Sequence, residues 1–181
     1  MEKQVIFFHG GGSKGDYVAD EKLVASLQLE LGPDYSIHYP FLQDNGSPDL
    51  GRRGQISHEI SESSDSVILV GHSLGASMLL ACLSEIEIKK KIEGVFLIAT
   101  PFWQGTEDWV EAFKLQPDFA KKINADIPLF FYHNRDDEEV PFDHLGTYKQ
   151  QLPWASYREE SVGGHQFDND LKIVADDIKT L

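Results

Sequence analysis

Short apolar runs recur along the chain at fairly even spacing, and they constrain its fold more than any other feature. Four of the six runs are continuously apolar, which is typical of strands buried on both faces of a sheet. The segments between them repeat apolar residues with helical periodicity. This alternation predicts an α/β fold in three layers: about six parallel strands with helices on both faces. The runs lie at residues 5–8, 35–39, 67–70, 95–99, 129–132 and 155–158.

The composition is that of one globular domain, residues 1–181, with 41% apolar residues to fill its core. The 30 acidic residues outnumber the 16 basic ones, and the formal net charge of −14 disfavours nucleic acid and anionic membranes as partners. Cys82 is the only cysteine, which excludes a disulfide framework and a multi-cysteine metal site. Because no signal-peptide or membrane-spanning pattern is present, we expect a cytoplasmic protein. The oligomeric state stays open.

A serine stands between the third run and an unusually apolar helix. Residues 71–75 read G-H-S-L-G, and residues 74–83 are almost wholly apolar or small. The pentapeptide fits G-x-S-x-G, a strained turn that projects the serine hydroxyl above the sheet edge. Larger residues at the two glycine positions would collide with the turn. An ordinary strand-to-helix turn is the alternative, but the flanking strand and buried helix favour Ser73 as a nucleophile.

Candidates for a base and an acid follow Ser73 in chain order. A serine hydroxyl needs a base to take its proton, and the base needs an orienting carboxylate. Asp136 and Asp137 follow the fifth run, and His165 follows the sixth on a glycine-bearing loop. Of the seven histidines, only His165 comes after both the last run and a candidate acid. We therefore predict His165 as the base, while the two aspartates remain alternatives at this point.

Two segments are expected to supply the backbone N–H groups of an oxyanion hole, which stabilises the oxygen that becomes negative during acyl transfer. One donor is the N–H of Leu74, directly after Ser73, and the other is expected in the glycine-rich loop after the first run. Glycines let that backbone approach a substrate closely, and Gly11 is the expected donor. Its neighbours Gly10 and Gly12 remain alternatives.

The same glycine-rich loop also fits G-x-G-x-x-G, the dinucleotide-binding fingerprint, over residues 10–15. A Rossmann domain would place an acid at the end of the second strand, where Tyr39, Pro40 and Phe41 stand instead. We also expect the loop to continue until a helix starts near Asp20. Nicotinamide-dinucleotide binding is therefore the weaker alternative. Because the histidines lie far apart, we expect no metal site, and the serine chemistry needs no cofactor.

Together, the G-H-S-L-G turn, the acid loop that ends at Val140-Pro141, and the late Gly164-His165 pair resemble the α/β-hydrolase superfamily. The short length without an inserted lid is similar to the small single-domain hydrolases grouped with the retinoblastoma-binding serine hydrolase. This resemblance implies the strand order 2-1-3-4-5-6, with Ser73 as nucleophile and His165 as base. It also implies Asp137 as the acid, because related sequences place the acid in D-x-x-V-P.

The substrate is the least determined part of this interpretation. Gly10, Phe102 and Trp103 are candidate substrate-binding residues, although the two aromatic side chains would equally well dock the following helix. We expect a serine hydrolase that cleaves a small carboxylic ester or thioester through a Ser-His-Asp triad and an acyl-enzyme. Lactonase and perhydrolase chemistry use the same residues. A non-catalytic protein-binding module on a hydrolase scaffold is the alternative from another class.

Overall fold

The computed structural model describes residues 2–181 and has one six-stranded, fully parallel sheet. The strand order is β2-β1-β3-β4-β5-β6, which confirms the order expected from the resemblance. Since all strands run in the same direction, the loops that follow them meet at one edge of the sheet. The strands are β1 (Lys3–Phe8), β2 (Tyr35–His38), β3 (Ser66–His72), β4 (Lys91–Ile98), β5 (Leu129–Asn134) and β6 (Ser156–Glu160).

Helices cover both faces of the sheet, which confirms the three layers. Alternate residues of β1 show why both faces are apolar: Val5 and Phe7 belong to one buried cluster, and Ile6 and Phe8 to the other. The first cluster includes residues of α1 and α7, and the second includes residues of α2, α3 and α6. The helices are α1 (Lys14–Leu31), α2 (Arg52–Glu62), α3 (Leu74–Glu85), α4 (Asp108–Glu111), α5 (Phe119–Lys122), α6 (Asp143–Gln151) and α7 (Lys172–Ile178).

One expected helix start is wrong. Helix α1 begins at Lys14 rather than near Asp20, because Ser13 caps it. The Ser13 hydroxyl accepts from the Asp16 N–H, and the Asp16 carboxylate accepts from the Ser13 N–H, which forms a capping box. Before α7, residues 167–169 form a 3₁₀ turn with positive φ angles. Within residues 2–181, no helix is long and apolar enough to cross a membrane.

Candidate active site

Ser73 occupies a strained turn between β3 and α3, at the centre of the sheet edge. Its φ of 52° and ψ of −122° lie outside the regions that non-glycine residues commonly adopt. Such a conformation costs about 1–3 kcal/mol and persists only where the surroundings enforce it. The Ser73 N–H donates to the Ile98 carbonyl at the end of β4, 2.8 Å away, which anchors the turn to the sheet.

The glycines that flank Ser73 are required by close packing. A Cβ on Gly75 would lie 2.3 Å from the Phe8 carbonyl oxygen, which is backbone of β1 and has no room to move away. A Cβ on Gly71 would lie 2.7 Å from the Cα of Ala76. The turn therefore fits against β1 only if both positions lack side chains, as the sequence pattern predicted.

His165 and Asp137 lie against each other behind this turn. The His165 Nδ1 lies 3.0 Å from each carboxylate oxygen of Asp137, and both side chains are almost fully buried. Burial alone would lower the pKa of His165, but the hydrogen bond and charge of Asp137, with the charges of Glu139 and Glu138, raise it above its ordinary value. An Nδ1–H that donates to Asp137 leaves Nε2 as the nitrogen that exchanges a proton with a substrate.

The carboxylate of Asp137 is fixed by its own loop. Its Oδ1 accepts the N–H groups of Glu139 and Val140, at 2.9 and 2.8 Å. His133, near the end of β5, lies 3.3 Å from Oδ2 through its Nε2. Burial would raise the pKa of Asp137, but the hydrogen bonds from His133 and His165 and these backbone N–H groups hold it well below its usual range. Asp137 is therefore ionised across the neutral pH range.

The other acids of this loop hold the backbone that carries His165. Asp136 accepts the N–H groups of Gly163 and Gly164, at 3.2 and 2.9 Å. Glu138 accepts the N–H of His165 at 2.9 Å. The sequence did not predict the role of Glu138, because its contact joins residues 27 apart and has no local signal.

Two backbone N–H groups are open next to Ser73. The Gly10 N–H donates to Asp20 at 2.8 Å and the Gly12 N–H donates to Asp16 at 3.1 Å. Within residues 2–181, no acceptor takes the N–H of Gly11 or of Leu74. Among the three glycines, Gly11 is thus the one whose N–H is available to a ligand.

The peptide that carries the Gly11 N–H is held from behind. Its carbonyl, that of Gly10, lies 2.6 Å from Nδ1 of His9, whose Nε2 accepts the N–H of Leu42. Since Nε2 accepts, Nδ1 is the nitrogen that donates. Arg52, the first residue of α2, is fully buried and donates to the Gly11 and Leu42 carbonyls. These contacts fix the orientation of the Gly11 N–H before any ligand binds.

The dinucleotide alternative loses further support at this loop. Because α1 starts at Lys14, the G-x-G-x-x-G segment runs directly into a helix, as in a dinucleotide-binding domain, and the expected longer loop is absent. However, the N–H groups of Gly12 and Ser13 already donate to the Asp16 carboxylate. A pyrophosphate would have to displace this carboxylate or bind against its negative charge.

An open cleft of about 540 Å³ joins these elements. The structure places Ser73, Leu74 and His165 in its wall together with Gly10 and Gly11, and Phe102 and Trp103 also line it. The two aromatic residues come from residues 99–128, which join β4 to β5 and also supply the exposed Trp109. His144 accepts the Phe102 N–H at 3.0 Å and fixes the start of this segment.

No hydrogen bond joins Ser73 to His165, both of which lie within the described residues. Instead, a carboxylate oxygen of Glu139 lies 3.5 Å from His165 Nε2, and the Glu139 side chain is 66% exposed. Catalytic hydrogen bonds are often long in sites without substrate and shorten when it binds. Because the Glu139 side chain is exposed, packing does not hold it next to His165, and a substrate that enters the cleft can displace it.

Residues 50–167 match the family described as "Serine hydrolase", and this segment includes Ser73, Asp137 and His165. The chain belongs to the serine hydrolase family. Its fold is that of the α/β-hydrolase superfamily, as the resemblance implied. The closer similarity to the retinoblastoma-binding group stays a prediction.

Relatives of this serine hydrolase carry related names. "Putative hydrolase YdeN" of Bacillus subtilis is 25% identical, over 97% of this chain and 94% of that protein, and its crystal structure superposes with a TM-score of 0.66. "Putative esterase/lipase 2" of Mycoplasma genitalium is 24% identical over 91% of this chain, which spans only 62% of that protein. A thioesterase domain from the curacin biosynthetic pathway superposes with a TM-score of 0.71 at 16% identity, over 99% of this chain and 92% of that domain.

Proposed function

We propose that this serine hydrolase cleaves small carboxylic esters or thioesters through a covalent Ser73 acyl-enzyme. The observation that carries the proposal is the strained Ser73 turn, which shares one cleft with a histidine that a buried aspartate holds at 3.0 Å. An ordinary strand-to-helix turn needs neither the strain nor the buried partner pair.

Acylation uses the groups around Ser73 in defined roles. Ser73 Oγ attacks the substrate carbonyl carbon while His165 Nε2 takes the hydroxyl proton, and Asp137 stabilises the resulting imidazolium. The N–H groups of Leu74 and Gly11 donate to the oxygen that becomes negative. When the carbonyl re-forms, His165 gives its proton to the departing alcohol or thiol, and the acyl group remains on Ser73.

Deacylation repeats the same steps with water. His165 takes a proton from a water molecule, which attacks the acyl carbon, and the same two N–H groups stabilise the second negative oxygen. Collapse of this intermediate releases the carboxylic acid, and His165 returns its proton to Ser73 Oγ. Every proton is transferred between substrate, water and this chain, so the cycle needs no added cofactor.

The cleft supports small acyl groups. It is open on one side, and Phe102 and Trp103 provide apolar surface next to Ser73. The names of the relatives, an esterase/lipase and a thioesterase domain, support both leaving-group types. We therefore place the ester and the thioester of short acids together as the substrate class.

Hydrolysis of a matched panel tests this function. Acetyl to octanoyl esters of p-nitrophenol and the corresponding thioesters are assayed with wild type, Ser73→Ala and Ser84→Ala. Ser84 is a buried serine at the far end of α3, so it controls for loss of a buried hydroxyl. We expect Ser73→Ala to retain less than about 1% of wild-type activity and Ser84→Ala to remain active. Equal activity in all three, or none in wild type, would overturn the proposal; the latter is expected of a binding module.

A further inference from the structure

A second histidine–aspartate pair lies beside the candidate triad, and the proposed reaction does not use it. His72 Nδ1 lies 2.9 Å from Asp20 Oδ2, and both residues are 1% exposed. His72 precedes Ser73 in the turn, whereas Asp20 lies on α1, 52 residues earlier. A buried ionisable pair is costly to desolvate, so its place next to the nucleophile calls for an explanation.

The hydrogen-bond partners fix the protonation of this pair. His72 Nε2 lies 3.1 Å from the His165 carbonyl, which only accepts, so Nε2 carries a proton. Asp20 Oδ2 accepts the Gly10 N–H at 2.8 Å as well as facing His72. Burial would raise the pKa of Asp20, but the hydrogen bond and charge of His72, with the Gly10 and Gln166 N–H groups, lower it. Both ring nitrogens of His72 thus face fixed partners, the Asp20 carboxylate and the His165 carbonyl.

The pair connects the loops that carry the candidate catalytic groups. Asp20 holds Gly10 at the start of the oxyanion loop, and its Oδ1 accepts from Gln166 Nε2 at 3.2 Å, next to His165. His72 holds the His165 carbonyl from the other side. Three loops that are distant in sequence therefore meet at one buried carboxylate and one buried ring.

We infer that the hydrogen-bonded Asp20–His72 pair positions the Gly10–Gly11 peptide and the His165 backbone relative to Ser73. Both residues border the cleft, but the pair acts through these groups, because both ring nitrogens of His72 already face partners within the protein. The inference rests on the proposed function, for which it names two positioning residues. Because removal of one partner of a buried charged pair is destabilising, the thermal midpoint is measured together with activity to separate positioning from folding.

Asp20→Asn tests the positioning role with little change in shape. The carboxylate uses both oxygens for Gly10, His72 and Gln166, whereas an amide has only one oxygen to accept with, so the loops lose their common anchor. Displacement of reacting groups by about 1 Å costs on the order of 10²-fold in rate. We expect kcat to fall by that order with KM changed less than about threefold. The affinity for a trifluoromethyl ketone, whose serine adduct also needs the Gly11 N–H, is expected to fall by a similar factor.

Asp177→Asn is the matched control. Asp177 accepts from the Tyr132 hydroxyl at 2.8 Å and from Arg158, away from the cleft. This variant is expected to lower the thermal midpoint without changing kcat. If Asp20→Asn keeps wild-type kcat and inhibitor affinity, or if both variants lose activity only in proportion to their loss of stability, the inference is wrong.

A crystal structure of Asp20→Asn gives a readout that does not depend on activity. We expect the Gly10–Gly11 peptide to be displaced relative to Ser73 in this variant and to keep its wild-type position in Asp177→Asn. A wild-type position of this peptide in Asp20→Asn would overturn the inference even in an active enzyme. If wild type proves inactive, the proposed function fails separately, and the inference is then decided by these two structures.

Discussion

Two histidine–aspartate pairs lie side by side at the centre of the molecule, and they differ in what the second ring nitrogen meets. The rings of His72 and His165 are 4.8 Å apart between centroids, both are buried, and each has a carboxylate at about 3 Å. Both rings line the open cleft, but His72 Nε2 faces the backbone carbonyl of His165, whereas His165 Nε2 faces the exposed carboxylate of Glu139. Burial and a carboxylate partner alone therefore do not identify a catalytic base.

The difference between the pairs lies in freedom to exchange a proton. A ring whose two nitrogens both face fixed partners has no position for a substrate proton, so His72 is suited to holding backbone. Among residues 2–181, the second nitrogen of His165 has only the exposed Glu139 carboxylate at 3.5 Å, which solvent or substrate can replace. The sharpest tests of the account therefore alter one pair and leave the other.

The largest effect is expected from Asp137→Asn. The amide would stabilise the wrong imidazole tautomer, so that Nε2 carries the proton and no longer accepts one from Ser73. We expect kcat to fall on the order of 10⁴-fold, far more than for Asp20→Asn. The measurement is steady-state hydrolysis of the best ester in the panel, with a thermal midpoint as the control for folding. Equal losses in Asp137→Asn and Asp20→Asn would remove the distinction between the pairs.

The pH dependence is the next largest effect. Because the acids around it raise the pKa of His165, kcat/KM is expected to rise with pH through a midpoint above the ordinary histidine value of about 6.5. Below that midpoint the rate falls about tenfold per pH unit, since only the neutral ring is a base. Glu139→Gln removes one nearby charge and is expected to move the midpoint to lower pH. A profile that stays flat from pH 5 to 8 in folded protein would exclude His165 as the base.

The smallest effect is expected from Asp136→Asn. Asp136 bonds the loop N–H groups before His165 and has no contact with the ring, so its loss alters loop geometry only. We expect a fall in kcat of less than about tenfold. Parallel assays of Asp136→Asn and Asp137→Asn decide between adjacent carboxylates. If Asp136→Asn shows the larger loss, the assignment of the acid is reversed.

The parts of the site that the sequence predicted are those with local patterns. The six apolar runs indicated the sheet, and G-H-S-L-G marked the turn at Ser73. The D-x-x-V-P register pointed to Asp137, and the structure gives a physical reason for that spacing. Its Oδ1 accepts the Val140 N–H three residues on, so the carboxylate is fixed relative to the loop end.

The parts that the sequence did not predict depend on contacts between distant segments. Asp20 and His72 are 52 residues apart, and Glu138 and His165 are 27 apart, so no periodicity or motif connects them. Arg52 is likewise buried by contacts with the Leu42 and Gly11 carbonyls, which lie 10 and 41 residues away in the sequence. The start of α1 was different, because Ser13 and Asp16 form a capping box that the sequence does contain. The start of α1 was missed although this capping pattern is present, because the surrounding glycines favoured a loop.

Labelling with a fluorophosphonate tests the central claim most directly, that Ser73 is an activated nucleophile. An activated serine forms a bond from Oγ to phosphorus and expels fluoride, whether or not the natural substrate is known. Intact-mass and peptide analysis are expected to show one label per chain, on Ser73, in wild type and Ser84→Ala and none in Ser73→Ala. Absence of label from folded wild type, or a label on another residue, would contradict the account.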